Sequence, residues 1–332
     1  MSETSLITGM GAALVDLFAD VSEAQLADLG STKAAMELIE ADRSAAMQAS
    51  VNVHTHQPGG SAANTVAGIA ALGVPAGFVG KLADDELGAV FCADFDRLNV
   101  AFPHAKHSAA DLPTGHCLVL VTPDAERTMH TVLGAAVTTA EDDLDAALLT
   151  RTDLFFAEGY IWDSPSAKQA FLRAADTVRA QGGRVAFSLA DGFCVERHHA
   201  DFMALLDSHI DILLANETEI TALFGTADAA SLSDKLAPHH VLAAITHGAG
   251  GVDVFADGHT THIEAQKIDT VVDLTGAGDQ FAAGFLAALH RGQNPEKAAA
   301  IGIIAASEVI RHVGPRPLHD VAAQIAAHGL RL

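Results

Sequence analysis

The chain has 332 residues, is 49% hydrophobic, and sets 19 Lys+Arg against 42 Asp+Glu for a net charge of −23. That length can bury a large core. The acidic balance disfavours a nucleic-acid partner, and with no apolar run of about 18 residues or more no membrane span is expected. Cys92, Cys117 and Cys194 are three, unpatterned and far apart, and Met1–Leu6 lacks a signal-peptide pattern, so neither a disulfide framework nor export is expected and the cytoplasm is the expected location.

Short β-like runs alternate with helical stretches, which predicts an α/β protein with a mostly parallel sheet. Strands are expected over 5–10, 76–80, 117–122, 128–132, 154–157, 184–188, 210–215, 243–247 and 251–256. Helices are expected over 61–72, 86–98, 139–149, 164–181, 196–208, 217–223, 229–236, 277–291 and 294–312. The first strand runs into Gly9-Met10-Gly11-Ala12-Ala13-Leu14-Val15-Asp16, which would put Asp16 at a strand's carboxyl end, where open α/β sheets place ligands. A carboxylate there can accept two hydrogen bonds from vicinal hydroxyls; a solvated loop aspartate is the other reading. A dinucleotide fingerprint would need glycine at position 14, which is Leu14, so a nicotinamide enzyme is weakly supported.

Two segments break the rhythm. One, 14–53, carries a helical stretch over 33–48; the other, 114–133, reads as a hairpin around Pro123-Asp124-Ala125-Glu126. They are expected to form one lid, giving a large unit of 1–13, 54–112 and 134–332 and a lid of 14–53 and 113–133. Its sheet edges could pair two copies into a homodimer.

Between and beyond them lie four glycine-rich or capped turns. Gln57-Pro58-Gly59-Gly60-Ser61-Ala62-Ala63-Asn64 precedes an apolar helix, with Ser61 a plausible N-cap and Asn64 able to donate and accept. It reads as a polyol clasp or as an ordinary cap. Asn216 and Glu219 sit three apart at a helix start, so they either face one ligand, with Glu219 holding a Mg²⁺-bound water, or form a capping box. Thr246-His247-Gly248-Ala249-Gly250-Gly251 joins two strands and serves a phosphate, a tight hairpin, or both. Last comes Val272-Asp273-Leu274-Thr275-Gly276-Ala277-Gly278-Asp279, with Phe281 and Phe285 on one face just after. A glycine-rich helix start offers unpaired N–H groups to an anion, and Asp279 at its rim can deprotonate a hydroxyl. Phosphoryl transfer needs that pair. The 18 histidines show no HExxH spacing, and most read as surface or loop residues.

In this order, Gly11-x₄-Asp16, Gly59-Gly60-Ser61-x₂-Asn64, Asn216-x₂-Glu219, Thr246-x-Gly248-x₂-Gly251 and Asp273-x-Thr275-Gly276-Ala277-Gly278-Asp279 resemble the ribokinase-like, PfkB-type carbohydrate kinases over essentially the whole chain. The resemblance implies a three-layer α/β/α sandwich with a small β-sheet lid. It implies ATP and Mg²⁺ as cofactors, Asp279 as catalytic base, and the N–H groups of Gly276, Ala277 and Gly278 as an anion hole. Asn216 and Glu219 would organise Mg²⁺ and phosphate. Thr246, Gly248 and Gly251 would contact nucleotide, and Asp16, Gly59, Gly60 and Asn64 the sugar. Asp273 would lie by a monovalent-cation loop, with K⁺ dependence left open; Leu274 departs from the usual Thr there. The wording around 57–64, 113–129, 158–163 and 306–317 resembles the bacterial adenosine-kinase-like branch. That implies phosphorylation of the 5′-hydroxyl of a ribosyl substrate, adenosine first, with Phe18 the first ring to name against the base; a lid core residue is its other reading. The alternatives are a free-sugar kinase for ribose, fructose or a keto-deoxy sugar acid, for which Arg127 would be the acid-binding residue, and a non-catalytic sensor of the same fold. The intact base argues against the sensor.

Overall fold

The computed structural model describes residues 5–103, 106–107, 111–124 and 126–332. Residues 1–4, 104–105 and 108–110 of the expected large unit, and Ala125 of the expected hairpin turn, lie outside them.

An eight-stranded sheet forms the centre, with spatial order His259–Ile263, Val252–Ala256, Leu242–Thr246, Ile212–Asn216, Arg184–Ser188, Thr152–Glu158, Leu6–Met10, Ala76–Val79. Its pairings are parallel except those that Val252–Ala256 makes on either side. Side chains alternate across a strand, and both faces here are apolar. Ile7, Phe156, Ala186, Ile212, Leu214 and Ala244 enter one core, whereas Leu6, Phe155, Val185, Phe187, Leu213 and Ile245 enter the other. Helices Ser61–Ala71, Ala277–His290 and Pro295–Val309 cover the first face. Pro165–Ala180, Gly192–Ser208 and Glu217–Phe224 cover the second. The result is the expected three-layer sandwich.

A second, five-stranded sheet has the order Met36–Leu38, Arg127–Val132, Gly115–Val121, Leu14–Asp20, Val53–Gly59. The central pairing of Leu14–Asp20 with Gly115–Val121 is parallel, so the two insertions join into one body. Three local expectations change. Residues 33–48 are not one helix: Met36–Leu38 is an edge strand, and the helix begins only at Ala41. Backbone pairing with Met129–Thr131 overrides the helical periodicity there. Val53–Gly59 is a strand of this sheet too, so the insertion runs past the expected boundary at 53; Pro58 is tolerated because the strand is an edge. Finally, 139–149 breaks into a 3₁₀ turn at Glu141–Asp143 and a short helix Ala146–Leu149. Acidic side chains compete for backbone N–H groups: Asp143 binds the Ala140 N–H, and Asp145 caps the helix at Leu148.

Candidate active site

Helix Ala277–His290 starts from Gly276, whose φ of 78° and ψ of 1° lie in the left-handed region. A Cβ there would sit 2.6 Å from Pro315. No side chain caps this helix, and a Cβ on Gly278 would meet no atom within 4 Å. The Ala277 N–H donates to the Leu274 carbonyl at 3.2 Å, while the open space beside Gly278 leaves room for an anion at this helix start.

Asp279 stands in the first turn. Its Oδ1 accepts a hydrogen bond from Ser61 Oγ at 2.7 Å and its Oδ2 one from Asn64 Nδ2 at 2.9 Å. The Thr65 hydroxyl donates to the Asp279 carbonyl at 3.2 Å. Ser61 is thus not the N-cap of its helix; Gly60 is, with φ 91° and ψ 129°, and the serine turns to Asp279 instead. The Asn64 Oδ1 is buried without a hydrogen-bond partner among the described residues. A hydroxyl donor beside Asp279 would satisfy it, since a buried unpaired acceptor is costly. Helices Ser61–Ala71 and Ala277–His290 are locked together by Gln280, whose Nε2 donates to the carbonyls of Asn64 (3.1 Å) and Pro315 (3.0 Å).

Two more carboxyls face the same region. Asp16 is not in a loop after the first strand; it lies mid-strand in Leu14–Asp20, opposite Gln57 and Cys117. The alternation of this strand sends Asp16 to the site while Val15 and Leu17 go to the core. Its neighbour Gly59 has no Cβ to displace the Asp16 carboxylate, which would be 2.6 Å away. Glu158, 1% exposed, ends the strand Thr152–Glu158 and had no role assigned from the sequence. It accepts the N–H groups of Ala12 (2.9 Å) and Ala62 (2.6 Å), tying two chain segments to the sheet end. A charged residue closing a buried apolar run at a parallel strand's carboxyl end is the signal that would have found it.

Burial raises all three carboxyls. It pushes Asp16 up to about 7, against the opposing charges of Arg316 and Arg127. It pushes Glu158 up to about 7, with its two N–H donors opposing and the Asp279 charge adding. It raises Asp279 as well, with Ser61, Asn64 and the Arg316 charge opposing. Arg316, 9% exposed, had no signal in the sequence; it pairs with Asp94 at 3.1 Å and lies over the Phe95 ring.

Asp273 joins the second sheet to the glycine turn. Its Oδ1 accepts from the Thr275 N–H and hydroxyl (3.0 and 2.8 Å), and its Oδ2 from the Gly314 N–H (2.8 Å) and from Arg127. Arg127 also donates to the Thr275 hydroxyl at 2.7 Å. The charge balancing Asp273 here is a guanidinium from the second sheet. Arg127 stacks on Phe18, which is 5% exposed and packs with Cys117 and Val119, so Phe18 is a core residue of the second sheet. Both line a cleft of about 690 Å³ between that sheet and residues 272–275. A smaller pocket of about 80 Å³, lined by Gly11, Ala12, Leu133, Ala136, Glu158 and Tyr160 among others, opens at the sheet end. Tyr160 is the ring that the sequence reading passed over.

The remaining expected residues stand at and after the ends of two other strands of the large sheet, Ile212–Asn216 and Leu242–Thr246. Asn216 and Glu219 form the capping box: the Asn216 side chain accepts the Glu219 N–H at 2.9 Å, and Glu219 accepts the Asn216 N–H at 3.0 Å. Burial raises the Glu219 carboxyl to about 7. Thr246 ends the strand Leu242–Thr246, and Gly248 sits in the following turn with open space beside it. Gly251 is required by the hairpin, since a Cβ would lie 2.2 Å from the Ile263 carbonyl. Among the described residues, no helix is long and apolar enough to cross a membrane.

The description "pfkB family carbohydrate kinase" matches residues 24–320. A probable sugar kinase from Rhizobium etli CFN 42 has a similar structure, with a TM-score of 0.90 at 34% identity, covering 98% of each chain. An adenosine kinase from Sinorhizobium meliloti superposes with a TM-score of 0.89 at 36% identity, covering 98% of this chain and 99% of that one. A fructokinase from Klebsiella pneumoniae is 26% identical over 251 residues, 74% of this chain and 80% of its own.

Proposed function

Because the chain belongs to the pfkB family of carbohydrate kinases and is a phosphotransferase acting on an alcohol group, we propose that it phosphorylates the primary hydroxyl of a ribosyl substrate, adenosine first. The observation that carries this reading is Asp279 at the uncapped start of its helix, fixed by Ser61 and Asn64, with the Asn64 side-chain Oδ1 unpaired beside it.

ATP supplies the phosphoryl group, and Mg²⁺ neutralises charge on its oxygens. The N–H groups of Gly276 and Gly278, joined by that of Ala277 once it leaves the Leu274 carbonyl, stabilise charge on the group in transfer. Asp279 takes the hydroxyl proton, and Asp16 with Asn64 holds the ribose hydroxyls. Thr246, Gly248 and Gly251 lie along the nucleotide. Glu219, with its carboxylate turned into the helix cap, would reach Mg²⁺ only through water. The apolar patch of Leu133, Ala136 and Tyr160 beside Glu158 suits a base better than Phe18, whose face Arg127 covers. The second sheet acts as the lid, and exclusion of water favours hydroxyl attack over hydrolysis.

The fructokinase likeness favours a free-sugar substrate as the second reading. A sugar-acid substrate is less supported, because Arg127 is engaged by Asp273 and Thr275. ADP release with Mg²⁺–ATP against adenosine, inosine, ribose and fructose separates these. Turnover with adenosine at micromolar KM and little with free sugars is expected. Turnover with a sugar alone would move the substrate and keep the chemistry; none with any of the four would sink the assignment.

Asp16 makes a separate expectation. Its ionised form accepts hydroxyl hydrogen bonds best, and its carboxyl is raised to about 7. KM should therefore fall as pH rises through about 7, and Asp16→Asn should raise KM and flatten that dependence. A KM with the same pH profile in the variant would remove Asp16 from substrate binding.

A further inference from the structure

Behind the glycine turn, the segment after helix Pro295–Val309 folds back onto Glu308, which is 1% exposed. Its Oε1 accepts the N–H groups of Leu318 (3.1 Å) and His319 (2.9 Å), which fix the carboxylate. Two imidazoles meet the same group. His312 Nε2 lies 3.2 Å from Oε1 and 3.3 Å from Oε2, and His319 Nδ1 lies 2.8 Å from Oε1. The three side chains can present ligand atoms that all lie within 4.8 Å of one another.

The His312 ring carries the further argument. Its Nδ1 faces the Val313 carbonyl at 3.3 Å and its Nε2 faces carboxylate oxygens, all acceptors only, so a neutral ring with one proton cannot satisfy both sides. In the neutral tautomer protonated at Nδ1, Nε2 is a bare lone pair facing the two carboxylate oxygens. Acceptors this close need a cation between them, either a proton or a metal ion. The backbone partners of both Glu308 and His312 are the supports that hold metal ligands in orientation.

We propose that Glu308, His312 and His319 bind a divalent transition ion of the zinc class, completed by solvent. Two imidazoles and a carboxylate suit that class. Ligand atoms about 2.1 Å from one ion at tetrahedral angles lie about 3.4 Å apart, close to the His312–Glu308 spacing. His319 must open slightly, and its side chain, 70% exposed, is free to do so. The ion would staple the end of the helix to the segment whose Gly314 N–H binds Asp273 and whose Pro315 backs Gly276.

The test uses the full chain stripped with EDTA and titrated with Co²⁺, then Zn²⁺. One equivalent of Co²⁺ should give the visible absorption of a four-coordinate site, displaced by Zn²⁺, and Zn²⁺ should raise the melting temperature. His312→Ala and His319→Ala should each weaken binding about tenfold or more and abolish the Zn²⁺-induced shift. His319→Ala truncates an exposed ring, so a folding failure will not mask its result. If the parent and both variants bind Co²⁺ alike, or none binds at micromolar concentration, the cluster is a protonated hydrogen-bond network and the proposal is overturned.

Discussion

Asp279→Asn is expected to fold, bind substrate and lose turnover by about 10²–10⁴-fold, the range for removing a positioned general base. The substitution keeps the local bonds within reach. The new amide oxygen can accept from Ser61 Oγ, and the new amide nitrogen can donate to Asn64 once the Asn64 amide turns over and presents its oxygen. Loss of rate is then loss of the base and not of the fold. The pH profile adds a second readout. Burial raises the Asp279 carboxyl, so in the parent protein the acid limb of kcat/KM should lie above the ordinary carboxylate range. Activity is low where Asp279 is protonated and rises with pH as it ionises. Asp16 and Glu158 share the region, and the Asp279 charge raises both, so the limb belongs to the set of carboxyls. In Asp279→Asn the Asp279 contribution to that limb should disappear. ADP release measured across pH, with circular dichroism to check the fold, decides the matter; near-normal kcat in the variant would remove Asp279 as the base.

Gly60→Ala should cost both stability and activity. The φ of 91° with ψ of 129° is a conformation that L residues rarely adopt, and a Cβ would lie 2.2 Å from the Ala12 carbonyl oxygen. Backbone strain costs about 1–3 kcal/mol, and forcing the clash open costs about 1–3 kcal/mol more. Gly225→Ala is the control. Gly225 also has a positive φ, 75°, but nothing lies within 4 Å of its added Cβ, so only strain of about 1–2 kcal/mol is expected there. Urea midpoints for the two variants should differ by the steric cost. Turnover should fall in Gly60→Ala alone, because Gly60 aims Ser61 and Asn64 at Asp279. Equal midpoints and equal activities would show that the chain yields at Gly60 without disturbing the site.

Several elements were readable because their signals are local. The strand Arg184–Ser188 and the helix Ala229–Leu236 lie where periodicity puts them, and the capping box at Asn216 and Glu219 is one of the two readings their spacing allows. The segment 33–48 misleads because its helical period is real for only its second half; its first half takes its conformation from a partner strand more than 90 residues away in the chain. Val53–Gly59 carries two histidines and a proline, a poor strand by composition, and exists because Leu14–Asp20 offers it an edge. Phe18 was readable as a ring near Asp16, but the Arg127 guanidinium that covers it comes from another strand.

What is legible along the chain is what one continuous segment can encode. The glycine turn that opens a helix, the carboxylate at its first turn, and the apolar strands that must be covered on both faces all depend on neighbours a few residues apart. Which side chains share the site is set by the folding of distant segments onto one another. Ser61 reaches Asp279 across 218 residues of chain, Asn64 across 215, and Glu158 holds Ala12 across 146. Those distances close because parallel strands order the sheet by burial of both faces and not by sequence proximity. The charge that balances Asp273, the carboxyl that flanks Asp279 and the histidines around Glu308 are consequences of that ordering, which no local pattern records.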